Sequence, residues 1–462
     1  MDDHSPTRRA ALRIVPAMAL ASGLRAQVKI FDARDYGAKG DGTTLDTAAI
    51  QHAIDAAAAA GNGAQVLIRG GKKYLIGTLE LKSGIDFHLA DDAELVVSTD
   101  PSHYRGAAVI SAHGATGLRI TGTGNINGRA KEFMERYDQP SEWWLPKAFR
   151  PKMFVLTACS DLQVRDISFS EAPEWGLHMV GCEHVLVDHL KIRNLLDVPN
   201  CDGIDPDHCR DVVIRNCDIV CGDDAIVVKS TRQPQDYGPC AGIRVHDCVI
   251  QTQDCGVKIG TETTGDIHDV RFDHCEVRSS SRGIGIQLRD EGEVYDIEFR
   301  DIQLVSRYHS DPWWGRGEAI SLTAIPRSPQ TKVGKLHDVR IRNVTARAEN
   351  SVRICGSPQS RVSHITLENV AVTLSRHTAY PGGVWDNRPT TALPDIEMHG
   401  NPGYSLRHAD GVALRNCSIV WGDNRPDYFT HAIESENVTG LDLSAFSGTA
   451  AHPDRSSDVS IR

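Results

Sequence analysis

An eleven-residue unit recurs along this chain, and it leaves few folds open. Its clearest copies are CSDLQVRDISF (159–169), CEHVLVDHLKI (182–192), CRDVVIRNCDI (209–219) and CAGIRVHDCVI (240–250). Five more begin at Ile267, Val294, Leu336, Val362 and Ala409, with weaker ones at Lys82, Ala115 and Val438. Positions four and six are apolar, position nine is small or apolar, and position eleven is apolar again. Such alternation reads as strand. The closest copies, at Cys159 and Cys182, begin 23 residues apart. That spacing, with longer insertions elsewhere, fits one coil of a parallel β-helix. A propeller needs units of roughly 40 residues with four strands each, and a leucine-rich solenoid a strict leucine and asparagine pattern. Neither fits. The predicted fold is all-β: a single-domain, right-handed parallel β-helix.

The segment in front supplies a cap. Asp46 to Ala60 is alanine-rich, with Ile50 and Ile54 four apart, and reads as an amphipathic helix with Thr44 or Asp46 as N-cap. Such a helix covers the open end of the stack, where strand edges are unpaired. Gly77–Leu81 is read as the start of the first coil. Residues 1–26 read as an export signal of the twin-arginine type, from Arg8-Arg9 followed by an apolar run from Ile14 to Leu24. The expected division is therefore 1–26 signal, 27–455 β-helix and 456–462 polar tail, in a periplasmic or secreted protein.

Composition narrows the partners. The 50 Lys+Arg against 61 Asp+Glu give a net charge of -11, with no basic stripe for nucleic acid. No run of about 20 apolar residues marks a membrane-spanning helix. Eight of the 12 cysteines fall into two columns of the repeat: Cys159, Cys182, Cys209 and Cys240 at position one, and Cys217, Cys248, Cys275 and Cys417 at position nine. They read as small core side chains. Adjacent coils, about 4.8 Å apart, are also within disulfide reach, which leaves their redox state open. No CxxC pair has zinc spacing, so no structural metal is expected.

A second strand in each coil carries the chemistry. Its copies are WGLHM (175–179), DGIDP (202–206), DAIVV (224–228), CGVKI (255–259), RGIGI (282–286) and EAISL (318–322). The second position is always Gly or Ala, read as a side-chain-free floor on which a flat polymer lies. Around it stand Asp202, Asp205 and Asp207, with Asp223 and Asp224 one minimal coil later. Packed like charges are unfavourable and shift one another's pKa, so a structural fold avoids them. Two chemistries reward the cluster: glycoside hydrolysis by paired carboxyls, and calcium binding in a polysaccharide lyase.

These stretches resemble glycoside hydrolase family 28, the polygalacturonase family, across nearly all of the chain after the signal. The resemblance begins at FDARDYGAKGDGTTLDTAAIQHAIDAA and continues through APEWGLHMVGC. It peaks at NCDGIDPDHCRDVVIRNCDIVCGDDAIVVKS, which holds the Asn-x-Asp-Gly motif from Asn200 and the Gly-Asp-Asp motif ending at Asp224. It implies a pectin-lyase-like solenoid that inverts anomeric configuration without a metal cofactor. Asp223 is then the general acid, and Asp202 and Asp224 hold the attacking water. Two departures stand out. The third motif, Gly-His-Gly, reads Asp254-Cys255-Gly256, so a thiol replaces an imidazole. The fourth, Arg-Ile-Lys, reads Gly285-Ile286-Gln287, so both cations that grip a galacturonate carboxylate are missing.

Lys258 shares a strand column with Gly285 and is expected to take over carboxylate recognition, with Arg289 as a second candidate. His178 lies in the same column as Asp205 and Lys258 and is expected to face the cleft. Trp143-Trp144 and Trp313-Trp314 lie in long insertions and are expected to wall it. The candidate catalytic residues are Asp202, Asp223 and Asp224. The candidate binding residues are Asn200, His178, Asp205, Cys255, Lys258, Gln287 and Arg289. The expected substrate is a pectic polysaccharide or oligosaccharide, such as rhamnogalacturonan or a chain attacked from its end. A calcium-dependent lyase and a non-catalytic carbohydrate-binding solenoid are the rival readings.

Overall fold

The computed structural model describes residues 28–462. The expected signal at 1–26 lies outside them. Thirty-five strands join in one sheet whose pairings are parallel, each strand bonded to its counterpart one coil away. This is a parallel β-helix. The repeat register is the stacking register: Val164 pairs with Val187, then Ile214, Val245, Phe272 and Phe299 in succession. All six side chains are buried, so one apolar column runs up the middle of the stack.

Position eight of the repeat explains why the chain turns where it does. Asp166, His189, Asn216, Asp247, His274 and Asp301 all hold it, each with φ between 48° and 65°. Asn, Asp and His tolerate this left-handed conformation best among residues with a side chain. The reversal lets positions nine and eleven resume the inward alternation on a new face.

The helix Thr47–Ala60 buries Ile50, Ala53, Ile54 and Ala57. Asp46 is its N-cap residue, although its carboxylate accepts from the N–H groups of Lys39 (2.7 Å) and Gly40 (2.9 Å) instead of the helix. The stack begins earlier than Gly77–Leu81. Ile30–Asp32, Ala64–Ile68 and Ile85–Leu89 already pair in parallel, because AQVLI alternates buried and half-buried from its first residue. The C-terminal end also differs from expectation. Val459–Ile461 adds a strand beside Ile433–Ser435, so residues 456–462 are not only a polar tail.

All 12 cysteines are free and buried. The Gly/Ala column is a core feature and not a floor. A Cβ on Gly203 would meet the Ala225 carbonyl oxygen at 2.3 Å, and one on Gly283 would meet Leu304 at 2.7 Å. Those positions are small because the coil bends inward against its neighbour's backbone. Among the described residues no helix is long and apolar enough to cross a membrane.

Candidate active site

Two short strands, Ile204–Asp207 and Ile226–Ser230, lie side by side, and the turns before them deliver Asp202 and Asp223-Asp224 to one spot. One carboxylate oxygen from each of the three lies within 4.8 Å of the others, and all three residues are buried. They line a cavity of about 240 Å³ with Trp175, Asn200, Lys229, Lys258, Glu262, Gln287, Trp314 and Arg388 among its walls.

Lysines distinguish the three carboxylates. Lys229 Nζ donates to Asp202 Oδ2 at 3.1 Å and stands 3.4 Å from Asp205 and 3.7 Å from Glu262. Lys258 Nζ donates to Asp224 Oδ2 at 2.7 Å and lies 3.7 Å from Asp254. Asp223 has no lysine. Its Oδ2 accepts from the Asn200 N–H at 3.0 Å and its Oδ1 from the Asp224 N–H at 2.8 Å. Burial, together with Asp202, Asp224 and Asp254, pushes the Asp223 carboxyl well above the usual range. Burial also raises Asp224, to about 8, with Lys258 opposing. Burial alone would lower Lys229, but Asp202, Asp205 and Glu262 hold its ammonium well above the usual value. One oxygen of Asp224, Oδ1, is buried with no hydrogen-bond partner among the described residues. The site therefore offers one raised carboxyl, Asp223, with no ammonium beside it, and two carboxyl groups that each accept from a lysine.

Of the residues singled out in the sequence, Asn200, Lys258 and Gln287 line this cavity with the three aspartates. Lys258 does so differently from expectation, because its ammonium is committed to Asp224 and Asp254. Gln287 Nε2 donates to the Arg388 carbonyl at 3.3 Å. Four others lie off the cavity wall. Asp205 is fully buried behind Lys229. His178 Nε2 meets Asp207 Oδ2 at 3.1 Å, and burial lowers its pKa. Cys255 points its thiol at the space above Gly285, where a Cβ would meet Sγ at 2.8 Å, and burial keeps that thiol protonated. Arg289 is enclosed, donating to Thr323 Oγ1 (2.9 Å) and the Leu288 carbonyl (3.2 Å); burial and the nearby Arg282, Arg353 and Arg327 push it down to about 9. Neither Cys255 nor Arg289 is placed to touch a sugar.

Among the four paired tryptophans, only Trp314 borders the cavity. Trp313 is fully buried, Trp143 packs on both Trp313 and Trp314, and Trp144 donates to Asp197 at 3.0 Å. Sequence reasoning missed Lys229 and Trp175. The clue to Lys229 was present: a lone cation inside the apolar run AIVVKS of a buried strand needs a buried anion.

A calcium ion would meet two ammonium groups already neutralising the carboxylates that would have to bind it. That donor set does not suit a hard divalent cation.

The model of the family described as Glycosyl hydrolases family 28 matches residues 61–382. A probable polygalacturonase of Vitis vinifera is 31% identical over 264 residues, 51% of this chain and 52% of that one. The chain thus spans about half the length of that curated relative. Among solved structures, a family 28 exopolygalacturonase of Yersinia enterocolitica aligns with TM-score 0.70 at 19% identity, over 91% of this chain and 79% of that one. A hyperthermoactive exopolygalacturonase of Thermotoga maritima aligns with TM-score 0.60 at 22% identity, over 75% and 88%.

Proposed function

The chain belongs to glycosyl hydrolases family 28, and from that premise we propose that it hydrolyses a pectin-type saccharide by acid catalysis from Asp223. The observation that carries this reading is the unequal pairing of the three buried aspartates: Lys229 and Lys258 hold two, and the third has none. Asp223 gives its proton to the glycosidic oxygen as the bond to the anomeric carbon breaks. Asp202 and Asp224 orient a water on the other side and accept its proton as its oxygen bonds to that carbon. Their charges also stabilise the oxocarbenium-like transition state. The free Asp224 Oδ1 suits the water.

The test is Asp223→Asn. Loss of the acid lowers kcat by about 10²–10⁴-fold while saccharide binding persists. Retained turnover overturns the assignment. The stereochemistry is a second, sharper test. The oxygens lie closer together than the ~6.5–9.5 Å usual between the two carboxyls of inverting enzymes. Proton NMR of the first-formed product should nevertheless show inversion, and retention would remove the water-holding role of Asp202 and Asp224. A lyase would instead release unsaturated, ultraviolet-absorbing ends and stop with a chelator.

Exo action is part of this reading, as it is for the Yersinia and Thermotoga proteins. Arg388 and Pro389, beside the hairpin strands Val384–Asp386 and Ile396–Met398, wall one side of the cavity together with Trp314. A polymeric substrate also favours export, in line with the Arg8-Arg9 segment. Product sizing separates the modes: monomer or dimer from the outset marks exo cleavage, a ladder of sizes endo.

A further inference from the structure

Resting on the reading of a uronate-bearing substrate, we infer that Arg150 and Lys152 form the carboxylate clamp of this site. They stand in for the two cations missing at Gly285 and Gln287. The cations that line the cavity are already matched by carboxylates. Lys229 faces Asp202, Asp205 and Glu262; Lys258 faces Asp224 and Asp254; Arg282 faces Asp254, Glu318 and Asp386; Arg388 faces Asp386. None is left over for an acidic sugar.

Arg150 and Lys152 differ in this respect. Both are half-buried, and among the described residues neither has a carboxylate oxygen within 4.0 Å. Glu174 acts on both from beyond that distance. Arg150 Nη1 donates to the carbonyls of Pro173 (3.1 Å) and Pro199 (3.0 Å), and Nη2 to Asn200 Oδ1 (3.1 Å). Nε–H and one N–H of Nη2 stay uncommitted. Lys152 Nζ hydrogen-bonds His178 Nδ1 at 3.4 Å and sits 3.6 Å from the Trp175 ring centroid. With His178 Nε2 donating to Asp207, Nδ1 accepts one ammonium proton, and the remaining two are free for a ligand.

Position makes the pair useful. Asn200 and Trp175, which these cations touch, both line the catalytic cavity, and the Asn200 N–H holds Asp223. Arg150 therefore stands one residue, Asn200, from Asp223, and Lys152 stands one residue, Trp175, from the cavity. Two half-buried cations without a counter-ion are costly to desolvate, and an anionic ligand repays that cost. A guanidinium supplies paired N–H donors that suit a planar carboxylate, and an ammonium adds a compact charge.

The experiment measures binding by calorimetry in the Asp223→Asn protein, with trigalacturonate and an uncharged galactotriose as probes. Arg150→Gln and Lys152→Met should each weaken trigalacturonate about 10- to 100-fold and leave galactotriose unchanged. Lys152→Arg, which keeps the charge, should bind within a few-fold of the parent. Unchanged trigalacturonate binding, equal losses on both probes, or no trigalacturonate binding by the parent overturns the clamp. Charge-dependent binding without any hydrolysis by the wild type would overturn the hydrolase reading alone.

Discussion

Lys258 Nζ, on the strand of one coil, donates across 2.7 Å to Oδ2 of Asp224, in a turn of the adjacent coil, with both groups buried. The pair favours the ionised form of Asp224 beside Asp223. Asp224 is raised by burial to about 8, and Lys258 is the main influence opposing that rise. In Lys258→Met the carboxylate therefore takes up its proton at higher pH, and activity on the acidic side fails sooner. The acid limb of the kcat/KM profile should move up by about one unit or more, each unit being about 1.4 kcal/mol of lost ammonium interaction. Lys258→Arg should restore most of it. An unmoved limb sinks the role.

Asp386 anchors the strand pair beside the cavity to the stack. It is fully buried and meets Arg388 at 2.7 Å, Arg316 at 3.5 Å and Arg282 at 3.6 Å. Burial acts to raise its pKa, but the Arg388 hydrogen bond and the other guanidinium groups outweigh it and hold the carboxyl below the usual range. A depressed pKa gives stability that is present above about pH 4 and lost as pH falls through the folded value. Asp386→Asn leaves buried guanidinium charge uncompensated and should cost about 3–5 kcal/mol at neutral pH. Thermal melts should show the gap to wild type narrowing below about pH 4. A constant gap contradicts the ion-pair account.

Gly203 separates Asp202 from the strand that follows. A Cβ there would lie 2.3 Å from the Ala225 carbonyl oxygen and 3.0 Å from Ile219. Gly203→Ala should therefore push the Asp202 turn away from Asp223 and Asp224, costing about 1–3 kcal/mol. Activity should fall with the melting temperature. A fully active, equally stable variant would show that the coil has slack at this corner.

The cysteine columns predict a chemical behaviour. All 12 thiols are free and buried, and those at Cys201, Cys221 and Cys240 are raised by burial. A thiol reagent should label fewer than one per native chain, and all 12 after unfolding without reductant. A disulfide formed after export would appear as two missing equivalents.

The eleven-residue unit made the fold legible because strand alternation and coil stacking share one register. Val164 over Val187 over Ile214 follows from the alignment alone. The same logic set Lys258 opposite Gly285. Direction within a coil was less legible. Gly203 and its column face the interior because the bend between strands decides which way a position points, and the alignment does not encode that bend. Arg289 and Cys255 were misjudged for the same reason. Lys229, Arg150 and Lys152 escaped notice because their meaning lies in partners from other coils: an ion pair with Asp202, or no carboxylate oxygen within 4.0 Å among the described residues. The hairpin at Val384–Met398 folds over a site almost two hundred residues earlier in the chain, and no local pattern announces that.

That hairpin also bears on how a chain of this family can change over generations. It leaves the stack after Leu374 and returns before Tyr404, while the strands on either side, Val362–Leu374 and Tyr404–Arg415, pair directly with each other. The solenoid does not need it for continuity. Shortening or swapping this excursion would reshape one side of the cavity, and the turns that carry Asp202, Asp223 and Asp224 would register it through Asp386, Arg282, Asp254 and Lys258. On the proposed function, substrate range would thus rest with a loop and catalytic chemistry with the stacked coils, the two joined by that chain of ion pairs.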